Sequence, residues 1–167
     1  MVKLKGELVV LRPLRVDDVP LVIEIQSQPA VARWWGLPHE EDLRRQAAGE
    51  AVETTFAITF DGVVVGLIQY VEENDPMYRH AGIDLFLSED FQGRGLGTDA
   101  VRTLARHLVR DRGHHRLTID PAIENAAAIR ACEKVGFRRV GVMRRYERLP
   151  EGDWHDGLLM DLLADEL

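Results

Sequence analysis

The spacing of hydrophobic and polar positions changes several times along the chain, and each change marks a new element. Glu7 to Leu14 alternates loosely around Val9 and Val10, which predicts a strand. Asp17-Asp18 then caps a helix running to about Ser27, with Pro20 in its first turn. Pro29 to Pro38 interrupts the pattern around Trp34-Trp35-Gly36, and His39 to Ala51 reads as a second helix with acids in its first turn and Arg44-Arg45 later. The period then shortens to two. Thr54 to Phe60 and Val63 to Val71 read as strands joined by Asp61-Gly62, a strong hairpin signal.

A polar loop, Glu72 to His80, leads to a strand at Gly82 to Leu87 and then to the segment Gln92-Gly93-Arg94-Gly95-Leu96-Gly97. From Thr98 to Arg112 the apolar positions Val101, Leu104, Ala105, Leu108 and Val109 form one stripe of a helix, while Arg102, Arg106 and Arg110 form another. Gly113 ends that helix. Arg116 to Asp120 is a short strand stopped by Pro121, and Asn125 caps a helix to Val135 that Gly136 closes. Strands at Phe137 to Glu147 and Trp154 to Leu163 flank a turn at Pro150 to Asp153. With no linker, repeat or low-complexity tract, the 167 residues predict a single α/β (α+β) domain. Its mixed central sheet is expected to have about six to seven strands, accompanied by about four helices.

Composition narrows the setting. At 46% hydrophobic and 29% charged residues the chain is neither disordered nor fibrous, and no segment has the unbroken apolar length of a membrane span. A lone Cys132 cannot form an internal disulfide, and Met1 to Lys5 carries lysines without an apolar stretch behind them. The expectation is a cytoplasmic monomer or homodimer with no membrane partner.

The net charge of −7 argues against nucleic acid as a partner, yet the charge is unevenly distributed. Residues 93 to 148 carry +7, residues 1 to 92 carry −8 and residues 149 to 167 carry −6. Such a division suits an anionic and a cationic ligand meeting in one cleft, although arginines solvating outer helix faces would produce it too.

Three glycines at alternate positions between a strand and a helix let backbone N–H groups approach a ligand, and the helix start adds unpaired donors of its own. Together they suit a phosphate or pyrophosphate. The loop lacks the Lys-Ser/Thr of a P-loop, and Thr98 replaces the last glycine of a dinucleotide fingerprint. Nucleotide hydrolysis and hydride transfer are thereby disfavoured. What remains is Gln-x-x-Gly-x-Gly, formed by Gln92, Gly95 and Gly97, which resembles the acetyl-CoA pyrophosphate loop of the Gcn5-related N-acetyltransferases. The likeness continues through Asn125, Ala128-Ile129-Arg130, Glu133-Lys134 and Gly136-Phe137, and it is most specific over residues 82 to 137. Trp34-Trp35-Gly36, Gly82-Ile83-Asp84, and Asp120-Pro121 followed by Asn125 resemble landmarks of the aminoglycoside 6'-N-acetyltransferases.

The resemblance implies an acetyl-CoA co-substrate held by Leu87, Gln92, Gly93, Arg94, Gly95, Leu96, Gly97, Thr98 and Asn125, the last touching the pantetheine arm. It implies an acceptor site at Trp34, Trp35, Asp84 and Asp120, with Asp84 the catalytic base and a backbone N–H near Leu87 facing the oxyanion. The acceptor would be a small cationic amine, aminoglycoside-like, with Glu40, Glu41, Glu72, Glu73 and Asp75 as further acids near it. In the family a tyrosine often supplies the leaving group's proton; Cys132 stands there instead, and Tyr146 is a second donor to consider. The six histidines show no metal spacing, so no metal is expected. Two other functions fit the same sequence. The Leu8 to Asp18 pattern also resembles the protein Nα-acetyltransferases, and the missing tyrosine admits a non-catalytic CoA-binding sensor.

Overall fold

A computed structural model describes residues 2–167. Eight strands form one mixed sheet in the order β1-β2-β3-β4-β5-β6-β8-β7, with β1 at Leu4–Lys5, β2 at Val10–Pro13, β3 at Thr54–Phe60, β4 at Val63–Glu73, β5 at His80–Leu87, β6 at Arg116–Ile119, β7 at Arg138–Arg148 and β8 at Trp154–Leu163. Helices α1 (Val19–Gln26), α2 (Pro29–Trp35) and α3 (Glu40–Ala47) precede the hairpin; α4 (Leu96–Arg110) follows β5 and α5 (Ala126–Val135) follows β6. All pairings are antiparallel except β5 with β6.

Alternation along the central strands divides the core between the two faces of the sheet. On one face Phe56, Ile58, Ile68, Tyr70 and Ile83 meet Leu96, Ala100, Val101, Leu104 and Leu108 of α4 and Ile129 of α5. On the other, Ala57, Leu67 and Phe86 meet Val19, Val22, Val31 and Leu43 of α1 to α3. The i, i+4 spacing of the α4 residues is what turns them all toward the sheet.

Three expectations need correction. Pro29 to Pro38 is not a break: Pro29 opens α2, where its fixed φ suits the first turn and its missing N–H costs nothing. This helix raises the count to five. The first long strand shortens to Val10–Pro13 because the N–H groups of Glu7, Leu8 and Val9 donate to the Asp99 carboxylate at 3.1, 2.8 and 2.9 Å instead of to a neighbouring strand. The two-residue β1 beyond this arch, too short to leave a period, takes the sheet to eight strands.

Asp99 thus fastens the start of the chain to α4. Asp99→Ala would leave three donors without their acceptor, one of them buried, and is expected to cost about 3 kcal/mol of unfolding free energy in urea titration.

Candidate active site

The parallel strands β5 and β6 pair only at Ala81 with Leu117 and at Gly82 with Thr118. Beyond those pairs a cleft of about 950 Å³ is lined by Asp84 to Leu87 on one strand and by Ile119 and Asp120 on the other. The far edge of β5 follows an irregular neighbour. The β3–β4 register slips between Ile58 and Thr59, leaving Val65 as a bulged extra residue beside Gly66. The Ser88 N–H donates to the Val65 carbonyl at 2.8 Å. Since peptide groups alternate sides along a strand, the N–H groups of Leu85 and Leu87 face away from β4, toward the cleft. The Leu85 carbonyl accepts from the Trp35 indole at 3.2 Å and the Leu87 carbonyl from the Gln92 amide at 2.9 Å.

After β5 the chain turns through Gly93 (φ +73°) and Gly95 (φ +80°), a left-handed backbone that side-chain-bearing residues rarely adopt. No side chain caps α4, so its first N–H groups are unsatisfied where Gly95, Gly97 and Thr98 line the cleft. These donors, with Arg130 and Lys134 of α5 on the same wall, fit a pyrophosphate. Asn125 caps α5, its carbonyl oxygen accepting from the Ala128 N–H at 3.2 Å, which leaves its amide NH₂ for a ligand.

The other half of the cleft is acidic. Asp84 is open to the cleft yet crowded by protein on its remaining sides, and its carboxyl accepts from the Leu85 N–H at 3.0 Å. Desolvation, with the charges of Asp120 and Glu147 adding to it, pushes the Asp84 pKa up to about 7. Asp120, half-buried, is raised by desolvation although the Tyr146 hydroxyl donates to it at 2.8 Å. Glu147 is raised for the same first reason, then by Asp120. The Asp120 hydrogen bond, followed by burial, pushes Tyr146 up to about 12. Burial pushes Cys132 up to about 12 too.

α2 is held against this half by its own residues. The Gln28 amide donates to the Ser88 hydroxyl at 3.1 Å and accepts from the Glu89 N–H at 2.9 Å. The Trp35 ring packs edge-on against Phe86 with centroids 4.9 Å apart, and the Arg33 guanidinium lies 4.4 Å over Trp34.

Most of the residues singled out in the sequence therefore meet in one cleft: Trp34, Trp35, Asp84, Leu87, Gln92, Gly93, Gly95, Gly97, Thr98, Asp120 and Asn125 all line it. Two do not. The Arg94 guanidinium lies 5.3 Å from both the Phe60 and Phe91 rings, and the Leu96 side chain is buried in the core. Among the acids expected nearby, Glu72 is bound to Arg112 at 2.7 Å and to His114 at 2.6 Å, and Glu40 pairs with Arg44. A third acid, Glu147, lines the cleft beside Asp84 and Asp120, and nothing in the arginine-rich run of β7 marks it in the sequence. At the exposed turn after β7, Glu151, Asp153 and His155 could bring three ligand atoms together, but His155 is also engaged by Glu124 at 2.8 Å.

A mixed sheet parted between two parallel strands, with open helix N–H groups at one end of the gap and carboxylates at the other, suits a group-transfer enzyme. Residues 9–138 match the acetyltransferase (GNAT) domain, and the chain belongs to that family; it is an acetyl-CoA-dependent N-acetyltransferase. It is 33% identical over 156 residues to aminoglycoside N(6')-acetyltransferase type 1 of Klebsiella pneumoniae, covering 81% of this chain and 76% of that one. To spermidine N(1)-acetyltransferase of Escherichia coli strain K12 it is 28% identical over 156 residues, covering 90% and 83%. A ribosomal L7/L12 alpha-N-protein acetyltransferase in complex with coenzyme A superposes with a TM-score of 0.85 over 99% of this chain and 100% of the other. At 20% identity, that likeness shows the fold alone.

Proposed function

We propose that the enzyme acetylates a primary amine of a small polycationic molecule, of the aminoglycoside 6'-amino type, with Asp84 as the base. The observation that carries this reading is the convergence of three carboxylates, Asp84, Asp120 and Glu147, on one end of the cleft. An ammonium group is stabilised there before it is deprotonated, and Trp34 and Trp35 supply flat apolar walls for the rest of the molecule. The sequence likeness to enzymes acting on aminoglycosides and spermidine supports the same class of acceptor.

Acetyl-CoA supplies the acetyl group, and its sulfur departs as a thiolate that must be protonated. Leu87 N–H, on the open side of β5, is the donor available to the carbonyl oxygen as it gains charge. At about 7, Asp84 is ionised often enough at neutral pH to take a proton from the bound ammonium. Once protonated, its carboxyl is a stronger acid than the departing thiol and can hand that proton to the sulfur; the carboxylate so regenerated takes the second proton that the nitrogen loses as the amide forms, and releases it to solvent. Cys132 and Tyr146, both up at about 12, are too weak as acids to replace it.

Two tests follow. Free-thiol release from acetyl-CoA should be measured against aminoglycosides, spermidine and N-terminal peptides. Release with the polyamines and aminoglycosides is expected; release only with peptides would support protein Nα-acetylation, and none, despite CoA binding, a sensor. Asp120→Asn removes a negative charge that helps hold Asp84 up, so the acid limb of its kcat/KM profile is expected to move to lower pH.

A further inference from the structure

Strand β7 does not run regularly beside β8. Met143 stands opposite Gly157 and Glu147 opposite His155, so three residues, Arg144 to Tyr146, face one, Asp156. Two extra residues leave each side chain on its own face of the sheet but advance the strand by two positions. A regular ladder continued from Met143 would put Arg145 opposite His155; the bulge puts Glu147 there instead. Glu147 lines the cleft, whereas Arg145 is exposed and does not.

Arg145 has φ +48°, a left-handed backbone that persists in a side-chain-bearing residue only where its surroundings over-determine it. Here the Arg145 N–H donates to the Asp156 carboxylate at 2.7 Å. A Cβ at Gly157 would stand 2.8 Å from Cδ2 of Tyr146 and 3.3 Å from Cε of Met143, so the Tyr146 ring occupies space that a side chain would need. From that seat the Tyr146 hydroxyl reaches Asp120 at 2.8 Å. The same stretch of β8 also holds the segment that follows Asp120. The Leu158 N–H donates to the Pro121 carbonyl at 2.8 Å, the Ile123 N–H donates to the Asp156 carbonyl at 2.9 Å, and Ala122 pairs with Gly157. Asp156 to Leu158 therefore fix Tyr146 from one side and Asp120 from the other, although none of the three lines the cleft.

We propose that Asp156 and Gly157 are positioning residues for acetyl transfer: by holding the left-handed turn at Arg145 they set Tyr146 against Asp120, bring Glu147 rather than an arginine to the cleft, and so fix the end of the site that receives the ammonium group. The inference rests on the assignment of that end to a cationic acceptor made above, and it adds the parts outside the cleft that maintain it. The backbone of Arg145 matters and its charge does not.

Steady-state kinetics with spermidine or an aminoglycoside test this. Arg145→Gly and Arg145→Val remove the same charge, but glycine accepts a left-handed backbone and β-branched valine resists it. Arg145→Gly is expected to stay within about twofold of wild type, whereas Arg145→Val, Asp156→Ala and Gly157→Ala should each raise KM for the acceptor about tenfold, with kcat changed less and KM for acetyl-CoA unchanged. Asp156→Asn, whose amide oxygen can still accept from the Arg145 N–H, should restore most of what Asp156→Ala loses. In a Tyr146→Phe background Asp156→Ala should cost clearly less than in wild type, since the two act on one contact. Should Arg145→Val fail to fold, the Asp156 pair and the Tyr146 background decide the matter. Equal losses in Arg145→Gly and Arg145→Val, an acceptor KM unchanged by Asp156→Ala, or parallel increases in KM for acceptor and acetyl-CoA would overturn the proposal and leave the proposed function standing. Wild type acting on peptides alone would overturn the proposed function, and the same variants assayed with that peptide would still decide the role of the bulge.

Discussion

Asp84→Asn is expected to lower kcat by about two orders of magnitude or more while leaving acetyl-CoA affinity unchanged. The amide is nearly isosteric with the carboxyl and can still accept from the Leu85 N–H, so the change isolates ionisation from packing. It removes a group whose pKa, pushed up to about 7, lies where a base must work. Asp120, just after β6, and Glu147, on β7, reach the cleft from other strands and should not substitute. The same variant carries a stability signature. Folding raises the Asp84 pKa from the usual 3.8 to about 7, so the native state holds an extra proton in that interval and loses stability as pH rises through it. An asparagine has nothing to ionise. The melting temperature of the variant should therefore exceed that of wild type at pH 8, and the difference should shrink toward pH 5.

Gly66→Ala is expected to reduce kcat/KM by at least about tenfold and to cost about 1–3 kcal/mol of stability, although residue 66 is buried in β4 outside the cleft. A methyl group there would overlap the Phe86 carbonyl oxygen and press on the Leu87 backbone. The closest of these atoms are backbone, which cannot swing aside as a side chain can, so the spacing of β4 and β5 must change. Leu87 N–H and Asp84 both ride on that strand, and an error of about 1 Å in placing reacting groups is enough to lose two orders of magnitude in rate. Urea titration and steady-state kinetics on the same preparation would check both parts. A variant with wild-type kinetics would mean that the β4 bulge does not set the position of β5.

These two residues illustrate what the sequence makes legible. Asp84 stands out because a carboxylate inside an apolar strand just before a glycine-rich loop has few structural uses, and its chemistry follows from its neighbours in the chain. Gly66, in Val65-Gly66-Leu67, looks like any glycine in a strand; its purpose arises from the opposing carbonyl of a strand some 20 residues later, which no local pattern records. The glycine loop, α4 and the Asn125 cap follow from short-range rules and were foreseeable to within about two residues. The start of the chain was not, because Asp99 claims the N–H groups of Glu7 to Val9 across 90 to 92 residues of sequence.

Charge distribution was only half informative. The basic segment contains the glycine-rich loop, but five of its arginines, Arg138, Arg139, Arg144, Arg145 and Arg148, belong to β7 at the edge of the sheet. Glu147 lies hidden among them and faces the cleft, whereas the more conspicuous acids of the amino-terminal half include several already paired, such as Glu40 and Glu72.

The pH dependence of kcat/KM with a polyamine or aminoglycoside acceptor tests the central claim, proton transfer from a bound ammonium to Asp84, most directly. The active pair is the ionised carboxylate and the protonated amine. The profile should therefore rise with an apparent pKa of about 7 and fall again near the pKa of the amine itself, and the rising limb should vanish in Asp84→Asn. A profile that climbs steadily to the amine pKa in both proteins, with no inflection near 7, would contradict it.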